Sequence, residues 1–293
     1  MRPSDVRPPR LRIHPLFLAV VGLAIYGRFL GTVAVLFFVV VLHELGHVLA
    51  ARSLGYSTEY IELLPFGGVA KLASGNMGWN PRHETLIALC GPLVNLLLAL
   101  TSVAWRLLFP EWSAWTHGFV SINLTVLFFN LLPGLPLDGG RIARAGLSLT
   151  RGYERATRLV LTMSFYLAGM LVFMGASALW LGYQDAGLLA LGVFLLVAAY
   201  SLRRHSRYDT LRFLDAKRRE RVAQPLPVRL LTAPGATSVG AVAAEFAPGA
   251  YHLVYVSRGE GGGGGDMELV EESTLLKAIF DDGMWTAPIS ELL

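Results

Sequence analysis

"VVVLHELGHVLAARSLG", residues 39–55, sets His43, Glu44 and His47 inside an apolar run that begins with a valine string and ends at Arg52. A charged group at bilayer depth costs about 2.5 to 3.5 kcal/mol even on lenient insertion scales, so ionisable residues in such a run mark function. The run is long enough to be a membrane helix, and on a helix residues four apart face the same way. His43 and His47 can therefore reach one cation, with Glu44 between them in sequence. The pattern H-E-x-x-H suits a zinc hydrolase: two imidazoles as ligands and a carboxylate placed as general base toward the attacking water.

The rest of the chain supplies the setting. Of 293 residues, 54% are hydrophobic and 16% charged, and the mean hydropathy is +0.51. Those values exceed what a water-soluble domain of this length carries, and they predict an α-helical polytopic membrane protein. The net charge of +4 is small and its arginines sit at the ends of apolar segments, which argues against nucleic acid as a partner. The single cysteine, Cys90, excludes an internal disulfide. No small-residue cleavage signal follows the basic start, which implies that the first apolar segment is retained.

About six transmembrane helices are expected, since crossing the hydrocarbon takes about 20 residues. They run over 15–26, 32–52, 84–108, from 115 into "NLLPGLPLDGG", 159–181 and 186–202. Trp105, Trp112 and Trp115 read as an interfacial belt, and His83 and Glu84 as an interfacial helix start. Between the second and third spans, "EYIELLPFGGVAKLASG" has apolar flanks around Pro-Phe-Gly-Gly and predicts a strand pair. A membrane-embedded β-hairpin must line a cavity or be buried in protein, which places it beside the site. Lysines and arginines in the short connections concentrate on one side of an even number of spans, so both termini are expected to be cytoplasmic.

Beyond the spans, 203–224 is a basic linker with helical amphipathicity, expected at the membrane surface. From 225 to 293 the composition changes to that of a small α/β domain: alternating "YHLVYVSR", a run of glycines at 261–265, and "ESTLLKAIFDDG" as a helix. The domain plan is thus 1–202, 203–224 and 225–293.

A zinc protease needs a third protein ligand and an open fourth position. Asp138 qualifies, because Pro133, Pro136, Gly134, Gly139 and Gly140 break the helix around it and free the carboxylate to turn toward a neighbouring span. Depth agrees: His43 lies nine residues, roughly 13 Å of helix, from Arg52, and Asp138 lies close to Arg141. Asp138 also reads as a turn residue that pairs with Arg141.

HELGH at 43–47, "NLLPGLPLDGG" at 130–140 and "CGPLVN" at 90–95 together resemble the site-2 protease family of intramembrane zinc metalloproteases, and within it the sporulation type. The resemblance covers roughly 12–202. It implies one Zn²⁺ per chain on His43, His47 and Asp138, with Glu44 as catalytic base. It also implies that Asn130 acts near substrate or oxyanion, with Asn95, Phe66, Gly67 and Pro136 as further substrate-side candidates. The implied substrate is a membrane-associated pro-form of a sporulation sigma factor, cut near the cytoplasmic, mother-cell face, with inhibitory membrane partners. Residues 225–293 loosely resemble one cystathionine-β-synthase (CBS) domain, which implies an adenine nucleotide and homo-oligomers; the glycine run departs from that pattern. Two other classes use intramembrane histidines and carboxylates: an ion or proton transporter, and a proteolytically silent metal-binding regulator. No inverted repeat supports the first, and the retained Glu44 speaks against the second.

Overall fold

The computed structural model describes residues 10–13, 26–28, 30–56, 58–64, 67–72, 80–183, 186–219, 225–257 and 267–293, the strands among the first 72 as backbone only. The first expected span, 15–26, and Phe66 lie outside the described residues, apart from Tyr26 at the end of that span.

Among the described residues, six α-helices precede the C-terminal region: α1 (Leu30–Ser53), α2 (Pro81–Leu108), α3 (Ser113–Asn130), α4 (Asp138–Arg151), α5 (Tyr153–Trp180) and α6 (Gly187–Arg219). Four of them, α1, α2, α5 and α6, are long and apolar enough to cross a membrane. At most 39% of any such apolar window is buried inside the protein, so the remaining apolar surface, Leu93, Leu97 and Leu100 of α2 among it, needs lipid rather than water against it.

Local chemistry sets the helix ends. Asn80 caps α2, its Oδ1 accepting from the Arg82 backbone N–H at 2.9 Å, and Pro81 occupies the first helical position, where no N–H is needed. Prolines 133 and 136 end the α3 path, the chain bends through 131–137, and α4 opens on Asp138. Leu135 donates its backbone N–H to Ser164 Oγ of α5 at 2.7 Å, which fixes the bend.

The helices pack in sequence: α1 on α2, α2 on α3 and α4, α4 on α5, and α5 on α6. Two buried pairs tie them together. Arg144 of α4 is paired with Glu84 of α2, and its guanidinium lies 5.6 Å over the Tyr153 ring of α5. Tyr153 in turn stacks on Phe213 of α6 at 4.7 Å. Glu84, expected as an interfacial helix start, is 8% exposed and belongs to this layer.

The strand pair expected over 60–72 forms as β2 (Thr58–Leu64) and β3 (Gly67–Leu72), antiparallel, with Ile61 opposite Ala70. An N-terminal strand, β1 (Arg10–Ile13), adds to β2 in parallel, Arg10 opposite Tyr60. The order is therefore β1-β2-β3, and β3 packs against α1, the helix that carries HELGH.

The C-terminal region has β4 (Val228–Pro234), α7 (Val239–Ala243), β5 (Tyr251–Ser257), β6 (Met267–Glu271) and α8 (Glu272–Phe280). β4 and β5 are parallel, β5 and β6 antiparallel. Both the alternating segment and the helix read from sequence are present. The segment read as a linker is helical through Arg219 and continues α6 without a break. Phe213 and Leu214 on this extension are buried in one core with Val239, Phe246, Val254 and Leu275. That apolar face lies on the C-terminal module, where an apolar stripe seen in sequence alone suits a membrane surface equally well.

Polar contacts reinforce the seam. Lys217 Nζ lies 2.9 Å from Glu272 Oε1 and donates to the Ala250 carbonyl at 2.5 Å. Glu272 Oε2 accepts from His252 Nδ1 at 2.6 Å, and His252 Nε2 accepts from the Ala247 backbone N–H at 3.1 Å. Arg229 donates to the carbonyls of Leu149 and Thr150 in the last turn of α4.

Candidate metal centre

One helical turn on α1 brings His43 and His47 onto the face that meets α2. Their Nε2 atoms lie 3.1 Å apart. Asp138 at the start of α4 places Oδ2 3.1 Å from His43 Nε2 and 3.2 Å from His47 Nε2. The three atoms form a nearly equilateral triangle, and all three side chains are buried. Glu44 is buried beside it, with a carboxylate oxygen within 4.8 Å of the histidine ligand atoms. Asp138 also meets the second reading made from sequence, since its other oxygen lies 3.6 Å from Arg141 Nη1.

Hydrogen bonding on the far side of each ring suits this triangle to a cation. His43 Nδ1 faces Asn95 Oδ1 at 2.5 Å, and His47 Nδ1 faces the Ile87 carbonyl at 2.7 Å. Both partners accept, so each Nδ1 carries the proton and each Nε2 presents a lone pair. Two lone pairs and a carboxylate oxygen then converge on one point, an arrangement that suits a bound metal cation. Size agrees: tetrahedral zinc with bonds of about 2.0–2.1 Å holds its ligand atoms about 3.3 Å apart. Two imidazoles and one carboxylate select zinc over magnesium or calcium, which prefer oxygen ligands.

Close helix approach creates the room. A Cβ on Gly91 would lie 2.3 Å from His47 Nε2 and 2.7 Å from His43 Nε2, so the floor of the site has to be glycine. A Cβ on Gly46 would meet the Cys90 carbonyl at 2.8 Å, so α1 and α2 touch backbone to backbone at this level. Pro92, inside α2, has no N–H to give the carbonyl four residues back, that of Ala88.

The remaining candidates are distributed differently. Asn95 is fully buried and holds His43 rather than facing an open cleft. Asn130 is partly buried and donates one amide hydrogen to the Val126 carbonyl in its own helix at 3.0 Å. Pro136 is exposed in the bend before Asp138, and Gly67 is the first residue of β3. The sequence reading missed the Ile87 carbonyl and Asn123. The first leaves no mark in a sequence, and the second is one amide between two hydroxyl residues in "SINLTV", 121–126.

A buried His-His-Asp triangle with an adjacent glutamate, set among apolar helices, is the arrangement expected of a membrane-embedded metalloprotease. The family model of peptidase family M50 matches residues 31–114 and 109–173. Stage IV sporulation protein FB of Bacillus subtilis is 29% identical over 293 residues, covering 97% of this chain and 96% of that protein. A zinc metalloprotease of Methanocaldococcus jannaschii is 36% identical over 168 residues, 55% of this chain and 48% of that one. The solved site-2 protease from Methanocaldococcus jannaschii superposes with a TM-score of 0.53 at 30% identity, covering 65% of this chain and 89% of that chain. The chain belongs to the M50 family of site-2 proteases and is an intramembrane zinc metalloprotease.

Proposed function

We propose that this protease carries out regulated intramembrane proteolysis on the membrane-associated pro-form of a sporulation sigma factor, removing its pro-sequence near the cytoplasmic face. The converging lone pairs of His43 and His47 beside Asp138 carry the mechanistic part of the reading. End-to-end similarity to the sporulation protein carries the substrate part.

His43, His47 and Asp138 are the protein ligands of the zinc, which when bound supplies Lewis-acid polarisation of the scissile carbonyl and acidifies the attacking water. Glu44 takes the proton of that water as general base; its burial excludes competing solvent and keeps its proton transfer within the site. Asn130 keeps a second amide hydrogen beyond the one given to Val126, and it donates this to the oxyanion. The substrate unwinds to an extended strand and adds to the sheet along Gly67–Leu72, since β1 already occupies the far edge of β2. Pro136, exposed in the bend before Asp138, and Phe66 are further residues on the substrate side in this reading.

The membrane part, 1–202, and the C-terminal part, 225–293, act as protease and CBS-like regulatory domain, joined by 203–224. The β-α-β-β-α order supports the CBS reading. The regulatory domain responds to an adenine nucleotide and favours homo-oligomers, while inhibitory membrane partners hold the enzyme silent. Both termini are cytoplasmic and face the mother cell, in keeping with the arginine distribution.

The test is cleavage of a membrane-tethered pro-sigma factor by the purified zinc-loaded protein beside Glu44→Gln. The expected result is a loss of about 10²–10⁴-fold in rate with zinc still bound. Equal cleavage by both proteins would refute Glu44 as base, and no cleavage by either would refute the substrate.

A further inference from the structure

The bond that holds His43 does not stop at Asn95. Asn95 Nδ2 donates to Asn123 Oδ1 of α3 at 3.2 Å, and Asn123 Nδ2 donates to the Phe119 carbonyl one turn back at 2.9 Å. Both asparagines are 0% exposed, so water cannot substitute for any partner in this line.

An amide side chain can turn either way, presenting its oxygen or its nitrogen to a neighbour, and the network decides which. Here the decision starts at a fixed point. The Phe119 carbonyl only accepts, so the Asn123 nitrogen faces it and the Asn123 oxygen faces Asn95. Asn95 must then offer its nitrogen to Asn123 and its oxygen to His43. An oxygen at His43 Nδ1 demands the proton there and leaves Nε2 as the lone pair that points at His47 and Asp138. The polarity of one carbonyl in α3 is thus transmitted through α2 to the ligand on α1.

We infer that Asn123 is a positioning residue of the metal centre, which through Asn95 fixes the tautomer and ring orientation of His43 so that Nε2 is the ligand atom. The inference rests on the reading of the His43-His47-Asp138 triangle as the zinc site. Outer partners of this kind tune affinity by about 10–100-fold when removed.

The experiment measures zinc affinity of the full-length protein in detergent by competition with a chelator, together with the visible spectrum of the cobalt-substituted protein. Asn123→Leu keeps the approximate volume and removes both polar roles. Asn123→Thr restores them, since a threonine hydroxyl donates to the carbonyl four residues back and accepts from Asn95. Asn123→Asp keeps the acceptor toward Asn95 but sets an oxygen against the Phe119 carbonyl. The expected result is zinc binding about 10–100-fold weaker and an altered cobalt spectrum in the Leu variant, with the Thr variant within about threefold of the unmodified protein and spectrally unchanged. Unchanged affinity in Asn123→Leu overturns the inference, as does equal weakening in Leu and Thr, which would mean a shape role. Should the Leu variant fail to fold, Asn123→Asp carries the test: weaker binding than Thr supports the relay, and binding equal to Thr overturns it. Absence of zinc binding by the unmodified protein would overturn the metal-site reading itself, and the relay with it.

Discussion

Replacing Gly91 with alanine sets two effects of opposite sign against each other. In an ordinary helix interior the change from glycine to alanine stabilises by about 0.8–1 kcal/mol, because alanine loses less backbone freedom. At Gly91 the added methyl would sit 2.3 Å from His47 Nε2 and 2.4 Å from Cε1, where ordinary contact begins at 3.4 Å. The His47 ring would therefore have to retreat by about 1 Å, and it has nowhere to go: its Nδ1 is held by the Ile87 carbonyl of the same helix that bears the methyl. His43, at 2.7 Å from the methyl position, is held by Asn95 in the same way. A 1 Å misplacement in a preorganised site costs on the order of 100-fold. Gly91→Ala is thus expected to weaken zinc binding by about 100-fold, about 2.7 kcal/mol, and to abolish cleavage, while the metal-free protein also melts somewhat lower, because overpacking, at about 1–3 kcal/mol, exceeds the helix gain. Chelator competition and thermal unfolding in the same detergent measure both arms. An alanine variant that binds zinc within about threefold and cleaves normally would refute the argument that helix contact shapes the metal centre.

Two further expectations concern the C-terminal region. Lys217 and Glu272 are both nearly inaccessible, so Lys217→Met leaves a buried carboxylate with only His252, at a cost of about 3–5 kcal/mol; thermal unfolding of the full chain should show the loss, and Lys217→Met/Glu272→Gln should recover most of it. Burial pushes the His252 imidazole below its usual value, with Lys217 and Arg229 acting the same way against the opposing pull of Glu272. The unfolded chain then binds the proton more readily than the folded one, so stability is full above about pH 6.5 and falls as the pH drops below it, by at most about 1.4 kcal/mol per pH unit. Hydrogen exchange of the β5 amides, corrected for intrinsic rates, should show easier opening at pH 5.5 than at 7.5; pH-independent opening would count against the assignment.

Much of the centre is legible in the sequence because its geometry is local. Helical periodicity alone puts His43 and His47 on one face, and broken helix plus matched depth singles out Asp138 from the other carboxylates. The strand pair is legible for the same reason, from its apolar flanks and its turn. What escapes is set by contacts between distant elements. Glu84 looks like a charge at a helix start and Arg144 like one of the arginines in a connection between spans, and only the packing of α2 on α4 turns them into a buried pair. Asn123 looks like any polar residue in a span until α3 lies on α2. The β1 strand is four residues whose partner is some fifty positions away.

The shared core of α6 and the C-terminal module bears on how the molecule is made. Tyr153, Phe213 and Leu214 lie in that core with residues from β4, β5 and both flanking short helices. The module leaves the ribosome after α5 and α6, so the surface it must cover belongs to helices synthesised before it. Its assembly is therefore templated: it completes once α5 and α6 stand side by side, so a folded module testifies that the helices beneath it have been correctly inserted.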